Sequence, residues 1–90
     1  MSYQLDFSDT ATKDIKSFRK SGDKVLLKKL NRLLVEIIEH PFTGTGKPEQ
    51  LKHDFSGYWS RRINKEHRIV YEVIEKEDKI LILSLKGHYW

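Results

Sequence analysis

The 90-residue chain has no cysteine, which excludes disulfides and thiolate metal sites. That is compatible with a reducing compartment. No apolar run approaches the roughly 18 residues that a membrane span needs. The longest, ILIL at 80–83, has the length of a strand. The opening MSYQLDFSDT lacks both an apolar core and an early basic cluster. It is expected to begin a folded domain rather than to act as a signal peptide. Internal repeats and low-complexity stretches are absent. No two histidines have convincing metal-ligand spacing, so no metal is expected. Proline is scarce, and both prolines fall within PFTGTGKPEQ, at Pro41 and Pro48. With two glycines beside them they mark a loop, too long for a tight turn.

What is present is basic charge in a small chain. The length suits a single domain over residues 1–90. A domain of this size buries only about two-thirds of the surface that its unfolded chain exposes. Lys plus Arg number 17 and Asp plus Glu 13, a net charge of +4, ordinary for a small domain. The distribution is more informative. Residues 44–71 carry Lys47, Lys52, Arg61, Arg62, Lys65 and Arg68 against Glu49, Asp54 and Glu66. Clustered cations suit a polyanion or an acidic protein, and also suit a solvated face.

The apolar pattern sets the order of elements. Tyr3, Leu5 and Phe7 alternate with Gln4, Asp6 and Ser8, as in a half-buried strand. Ser8 or Asp9 offers a helix N-cap, and Ala11, Ile15 and Phe18 then recur at helical spacing. Gly22 is expected to end that helix and Asp23 to cap the next. In the second helix Leu26, Leu27, Leu30, Leu33, Leu34, Ile37 and Ile38 form a wide stripe, and Pro41 stops it. YWSRRIN, HRIVYEVIE and KILILSLKGHYW then read as strands joined by hairpin-length links. QLKHDFSG adds a possible short strand before them. The expected fold is α+β, with two N-terminal helices on one face of a mainly antiparallel twisted sheet of about four to five strands. The other sheet face is left open to solvent or ligand.

Alternation in YWSRRIN places Arg62 with Tyr58 and Ser60, and places Arg61 opposite with Trp59 and Ile63. Arg61 is therefore given no site role. Arg62 and Arg68 flank a short turn, so they could face each other on adjacent strands. Two like charges side by side are destabilising unless an anion lies between them. Guanidinium groups bind phosphate in a bidentate manner. The alternative is pairing with Glu66, Glu72 or Asp54. His88, near the chain end beside Gly87, Tyr89 and Trp90, is either a proton donor or part of an aromatic anchor. Glu49 is a lone carboxylate between Lys47 and Lys52. A base, a set of cations and an acid are the three parts that metal-free RNA cleavage needs. DNA, lacking the 2′-hydroxyl, would not react this way.

The blocks G-x-GKPE-x-LK at 44–52, SGYWSRRI at 56–63, EHRIVY at 66–71 and the terminal HY at 88–89 occur in that order. In them the chain resembles the YoeB/Txe branch of the RelE toxin superfamily. The resemblance implies a RelE-like small domain and a toxin of a type II toxin–antitoxin pair. It also implies a protein that enters the ribosomal A site and cleaves the mRNA there, without a cofactor. It assigns Glu49 as general base, His88 as general acid and Arg68 as the arginine on the scissile phosphate. Lys52, Arg62 and Tyr89 would hold or position the substrate. Implied partners are a YefM/Axe-like antitoxin, the ribosome with its rRNA, and mRNA. No membrane partner is implied. The state implied is a homodimer or a hetero-oligomer with the antitoxin, in the bacterial cytoplasm. Family members commonly end in Tyr-His-Tyr, where this chain has Gly87, His88, Tyr89 and then Trp90. The alternative reading is a non-catalytic RNA-binding or antitoxin-binding module, a degenerate toxin.

Overall fold

The structure, a computed structural model, describes residues 3–51 and 57–86. The elements run β1 (Gln4–Phe7), α1 (Asp9–Ser21), α2 (Lys24–Glu39), β2 (Glu49–Gln50), β3 (Tyr58–Arg62), β4 (Arg68–Ile74), a 3-10 turn (Glu75–Glu77) and β5 (Lys79–Ser84). Both helices begin where the sequence has a capping side chain. Ser8 Oγ accepts from the Ala11 amide at 3.0 Å, and Asp23 Oδ1 accepts from the Leu26 amide at 3.0 Å. Gly22, at φ 71°, closes α1 in the left-handed region that glycine enters most easily.

The strands form one sheet in the order β1-β5-β4-β3-β2. β3, β4 and β5 are antiparallel neighbours, as their short links require. Two features differ from the sequence reading. β1 crosses both helices to run parallel to β5, Leu5 opposite Ile80, a long-range pairing that alternation alone does not specify. The short strand before β3 begins at Glu49 and pairs Glu49 with Ser60, whereas the sequence suggested it would start at Gln50. The Arg62 amide donates to the Gly46 carbonyl at 2.8 Å and draws the chain onto β3 early. Glu49 thus sits in a strand and not in the loop before it.

Both helices cover the same sheet face. Ala11, Phe18, Leu26, Leu30, Leu33 and Ile37 pack on Ile63, Ile69, Tyr71, Ile80, Ile82 and Leu85, all buried. At about 25 cal/mol per Å² such burial is the main stabilising term. Asp14, buried on α1, accepts from the amides of Leu85 at 2.9 Å and Lys86 at 3.2 Å. That pair of bonds fixes where the chain leaves β5. No helix among the described residues is long and apolar enough to cross a membrane.

Candidate active site

The sheet face away from the helices, defined by strand alternation, is open where Glu49 and Arg62 are exposed and closed further in, where Ser60 and Val70 are buried. Arg62 pairs directly with Arg68, Ser60 with Val70, and Glu49 with Ser60. Alternation therefore brings Glu49, Ser60, Arg62 and Arg68 to one face, away from the helices. The β3–β4 turn that sets this register is held by Asn64, whose Oδ1 accepts from the amides of Glu66 at 2.9 Å and His67 at 2.8 Å. Arg68 Nη1 lies 4.0 Å from Glu49 Oε2 and donates to Ser60 Oγ at 3.4 Å. Gly46, Lys47, Glu49, Arg62 and Arg68 line a small cleft of about 50 Å³. A water's share of liquid volume is about 30 Å³, so the cleft admits a small group and not a whole base.

The electrostatics of this cleft favour an anion. Three cations surround one carboxylate, and the Glu49–Arg68 pair is too exposed and too long to neutralise them. The side chain of Glu49 is 73% exposed, so it is accessible from outside the molecule. The structure thus brings together three of the residues read from the sequence, Glu49, Arg62 and Arg68. Lys52, His88 and Tyr89 lie outside the described residues. His67 packs its ring on Phe18, 5.1 Å between centroids. Among the described residues, no three His, Asp or Glu side chains gather as metal ligands would.

Behind the cleft is a cluster that sequence reasoning missed. Arg61, given no role because it faces inward, is fully buried. Its Nη2 donates to the carbonyls of His40 and Thr43, each at 2.9 Å, and reaches Tyr71 Oη at 3.5 Å. Its Nη1 lies 3.4 Å from Glu36 Oε1. Tyr71 donates to the Pro41 carbonyl at 2.6 Å. Glu36 accepts from the Thr45 amide, and that bond, ahead of the nearby Arg61 charge, holds its carboxyl below the usual glutamate range. Burial pushes the Tyr71 hydroxyl up, against the opposing pull of Arg61. The available signal was a charged residue between Trp59 and Ile63 on an apolar strand face: a buried cation must be paired.

The loop over this cluster is closely fitted. A Cβ at Gly44 would fall 1.9 Å from Glu36 Oε1, and one at Gly46 would fall 2.6 Å from Arg61 Cγ. Lys47, a non-glycine residue at φ 51°, carries a strain of about 1 kcal/mol that the surroundings must offset.

Comparison with known proteins identifies the family. Residues 7–89 match the family model described as "YoeB-like toxin of bacterial type II toxin-antitoxin system". Toxin YoeB of Synechocystis is 45% identical over 86 residues, covering 96% of each chain. A YoeB/ParE toxin from Agrobacterium tumefaciens superposes with a TM-score of 0.89 at 36% identity, over 96% of this chain and 99% of that one. The toxin in the heterotetrameric YoeB–YefM toxin–antitoxin complex from Staphylococcus aureus superposes at 0.83 with 44% identity, over 99% of this chain and 100% of that one. With its sheet, its open basic face and a family match over nearly its whole length, the chain belongs to the YoeB-like toxins of bacterial type II toxin–antitoxin systems.

Proposed function

We propose that the chain is a ribosome-dependent endoribonuclease that cleaves mRNA in the ribosomal A site. The observation that carries this reading is the placing of Glu49 beside Arg68 on the open face, with Arg62 directly across the hairpin. Glu49 takes the proton of a ribose 2′-hydroxyl. The freed oxygen attacks the adjacent phosphorus, forming one P–O bond as the bond to the 5′-oxygen breaks. Arg68 and Arg62 stabilise the charge that builds on the phosphate oxygens. His88 protonates the departing 5′-oxygen, and a 2′,3′-cyclic phosphate and a 5′-hydroxyl remain. Lys52 and Tyr89 hold the substrate.

A carboxylate is a weak base near neutral pH, so the 2′-hydroxyl must be aligned with the phosphate before attack. Binding to a ribosome supplies that alignment. A second basic surface supports a large RNA partner. Lys28, Lys29 and Arg32, with Val25, line a shallow depression on α2. Lys24 and Lys28, and Lys28 and Arg32, are like charges four residues apart. The first turn of α2 has no acid and the last turn no base, so charge runs against the helix dipole. These placements cost stability and suit contact with rRNA phosphates. The S. aureus complex with YefM supports a YefM-like antitoxin as partner, in a hetero-oligomer in the bacterial cytoplasm.

The test is cleavage in programmed cell-free translation, mapped by primer extension, with Glu49→Gln and His88→Ala alongside. Cuts within the A-site codon, strongly reduced in both variants, support the proposal. Ribosome binding without cuts in the unaltered protein would favour the non-catalytic module, with Gly87 and Trp90 as the first residues to revert.

A further inference from the structure

We infer that Arg61 and Glu36 form a latch that positions the catalytic base, so that the adjacent arginines of β3 divide their labour. Arg62 faces out toward the substrate phosphate. Arg61 faces in and holds the loop that carries Glu49. This rests on the reading of Glu49 as the base.

The need for a latch follows from the shortness of β2. Two residues pair with β3, and the Glu49 side chain is largely exposed. So short a strand cannot by itself fix a carboxylate for proton transfer. The chain from α2 to β2 is instead fixed at five backbone groups, from His40 to Gly46. Tyr71 holds the Pro41 carbonyl, and Arg61 holds the carbonyls of His40 and Thr43. Glu36 holds the Thr45 amide, and the Arg62 amide holds the Gly46 carbonyl. Glu49 follows three residues later. Arg61 lies at the centre of the first four, directly or through Glu36 and Tyr71. A Cβ at Gly46 would also fall 2.7 Å from the Arg62 carbonyl, so the loop lies directly against the backbone of β3 there.

Lysine at position 61 would keep the charge but not the planar fork that reaches two carbonyls and two side chains at once. Removal of Glu36 frees the Thr45 amide and leaves Arg61 without its carboxylate. Either change lets the loop, and Glu49 with it, shift by fractions of an ångström. Misplacements of about 1 Å can cost on the order of 100-fold in rate.

The experiment measures cleavage on programmed ribosomes at saturation, for the unaltered protein and for Glu36→Ala, Glu36→Gln, Gly44→Ala and Arg61→Lys. It is run at a temperature where circular dichroism shows each variant folded. Hydrogen exchange of residues 43–51 is followed in parallel. The expected result is a kcat lower by roughly 10- to 100-fold in Glu36→Ala and Gly44→Ala, with KM within about threefold and faster exchange across the loop. Glu36→Gln, which keeps an acceptor for the Thr45 amide, should recover much of the loss. Unchanged kcat in folded Glu36→Ala, with the loop exchanging faster, would overturn the positioning role. Unchanged exchange would overturn the latch itself. Because exchange is read without cleavage, failure of the Glu49 reading is distinguishable: Glu49→Gln would then keep full cleavage.

Discussion

Replacing Tyr71 by phenylalanine removes one oxygen from the middle of the molecule and keeps the ring. The hydroxyl is fully enclosed, donates to the Pro41 carbonyl at 2.6 Å and lies 3.5 Å from Arg61 Nη2. A buried carbonyl that loses its donor costs about 1–3 kcal/mol. Arg61 retains its bonds to His40 and Thr43, so the loss should be about 1.5 kcal/mol, or roughly 6–12 °C in melting temperature for a domain of this size. The alkaline limb of the stability curve gives a second readout. Burial raises the ionisation of Tyr71 above its ordinary value near 10. As pH climbs past that value, an unfolded chain loses this proton before the folded one does. The unfolded state then binds fewer protons, so stability falls with rising pH, by at most about 1.4 kcal/mol per unit for one group. Urea unfolding from pH 8 to 11 should therefore show a decline that is shallower in Tyr71→Phe. Equal slopes in the two proteins, or equal stability at pH 8, would refute the assignment of this hydroxyl as a buried anchor of the loop.

Three further outcomes are expected. Glu36 is held below the ordinary glutamate range by the Thr45 amide. Its share of stability is complete above that ordinary range and is lost as pH falls through the lowered folded value, so acid unfolding of Glu36→Gln should be less steep than that of the unaltered protein. Asp14→Ala leaves the amides of Leu85 and Lys86 without their acceptor and should cost about 2–4 kcal/mol in urea unfolding, with faster exchange at those two amides. Glu49→Gln removes a carboxylate whose ion pair is exposed and 4.0 Å long. Stability should change by less than about 1 kcal/mol, and added phosphate should raise the melting temperature more than it does in the unaltered protein, because the cleft gains one unit of positive charge.

The sequence was most legible where one element speaks for itself. Ser8, Gly22 and Asp23 cap or close the helices because each does so with its own side chain or backbone. The facing of Arg62 and Arg68 was readable because a turn of hairpin length leaves a strand few registers. β1 beside β5 was not readable: the pairing partners are 75 positions apart, and nothing in QLDF distinguishes one edge from another. The inward direction of Arg61 was readable but its partners were not, because alternation says which way a side chain points and not what waits there. Its partners are backbone carbonyls of a loop, and a carbonyl leaves no mark in the amino-acid pattern. Glu36 carries no local signal of its role, since its partners are 9 and 25 positions away.

Period-two geometry therefore does more in β3 than separate core from solvent. Trp59, Arg61 and Ile63 enter the helix-covered side, and Ser60 and Arg62 the opposite one, where Arg62 is exposed. Consecutive arginines on such a strand cannot serve one ligand together. A cation on the open side adds to a cleft that already repels other cations, so it needs an anion from outside the molecule. A cation on the covered side needs partners from inside, and the loop carbonyls with Glu36 supply them. Exchange of Arg62 for a neutral residue should relieve repulsion with Arg68 and be tolerated by the fold. Exchange of Arg61 strips partners from several buried groups at once. The same residue type, one position apart, should cost little stability when exchanged in one place and much in the other. For the same reason a site that holds anions can be built on a strand whose inner face is otherwise apolar.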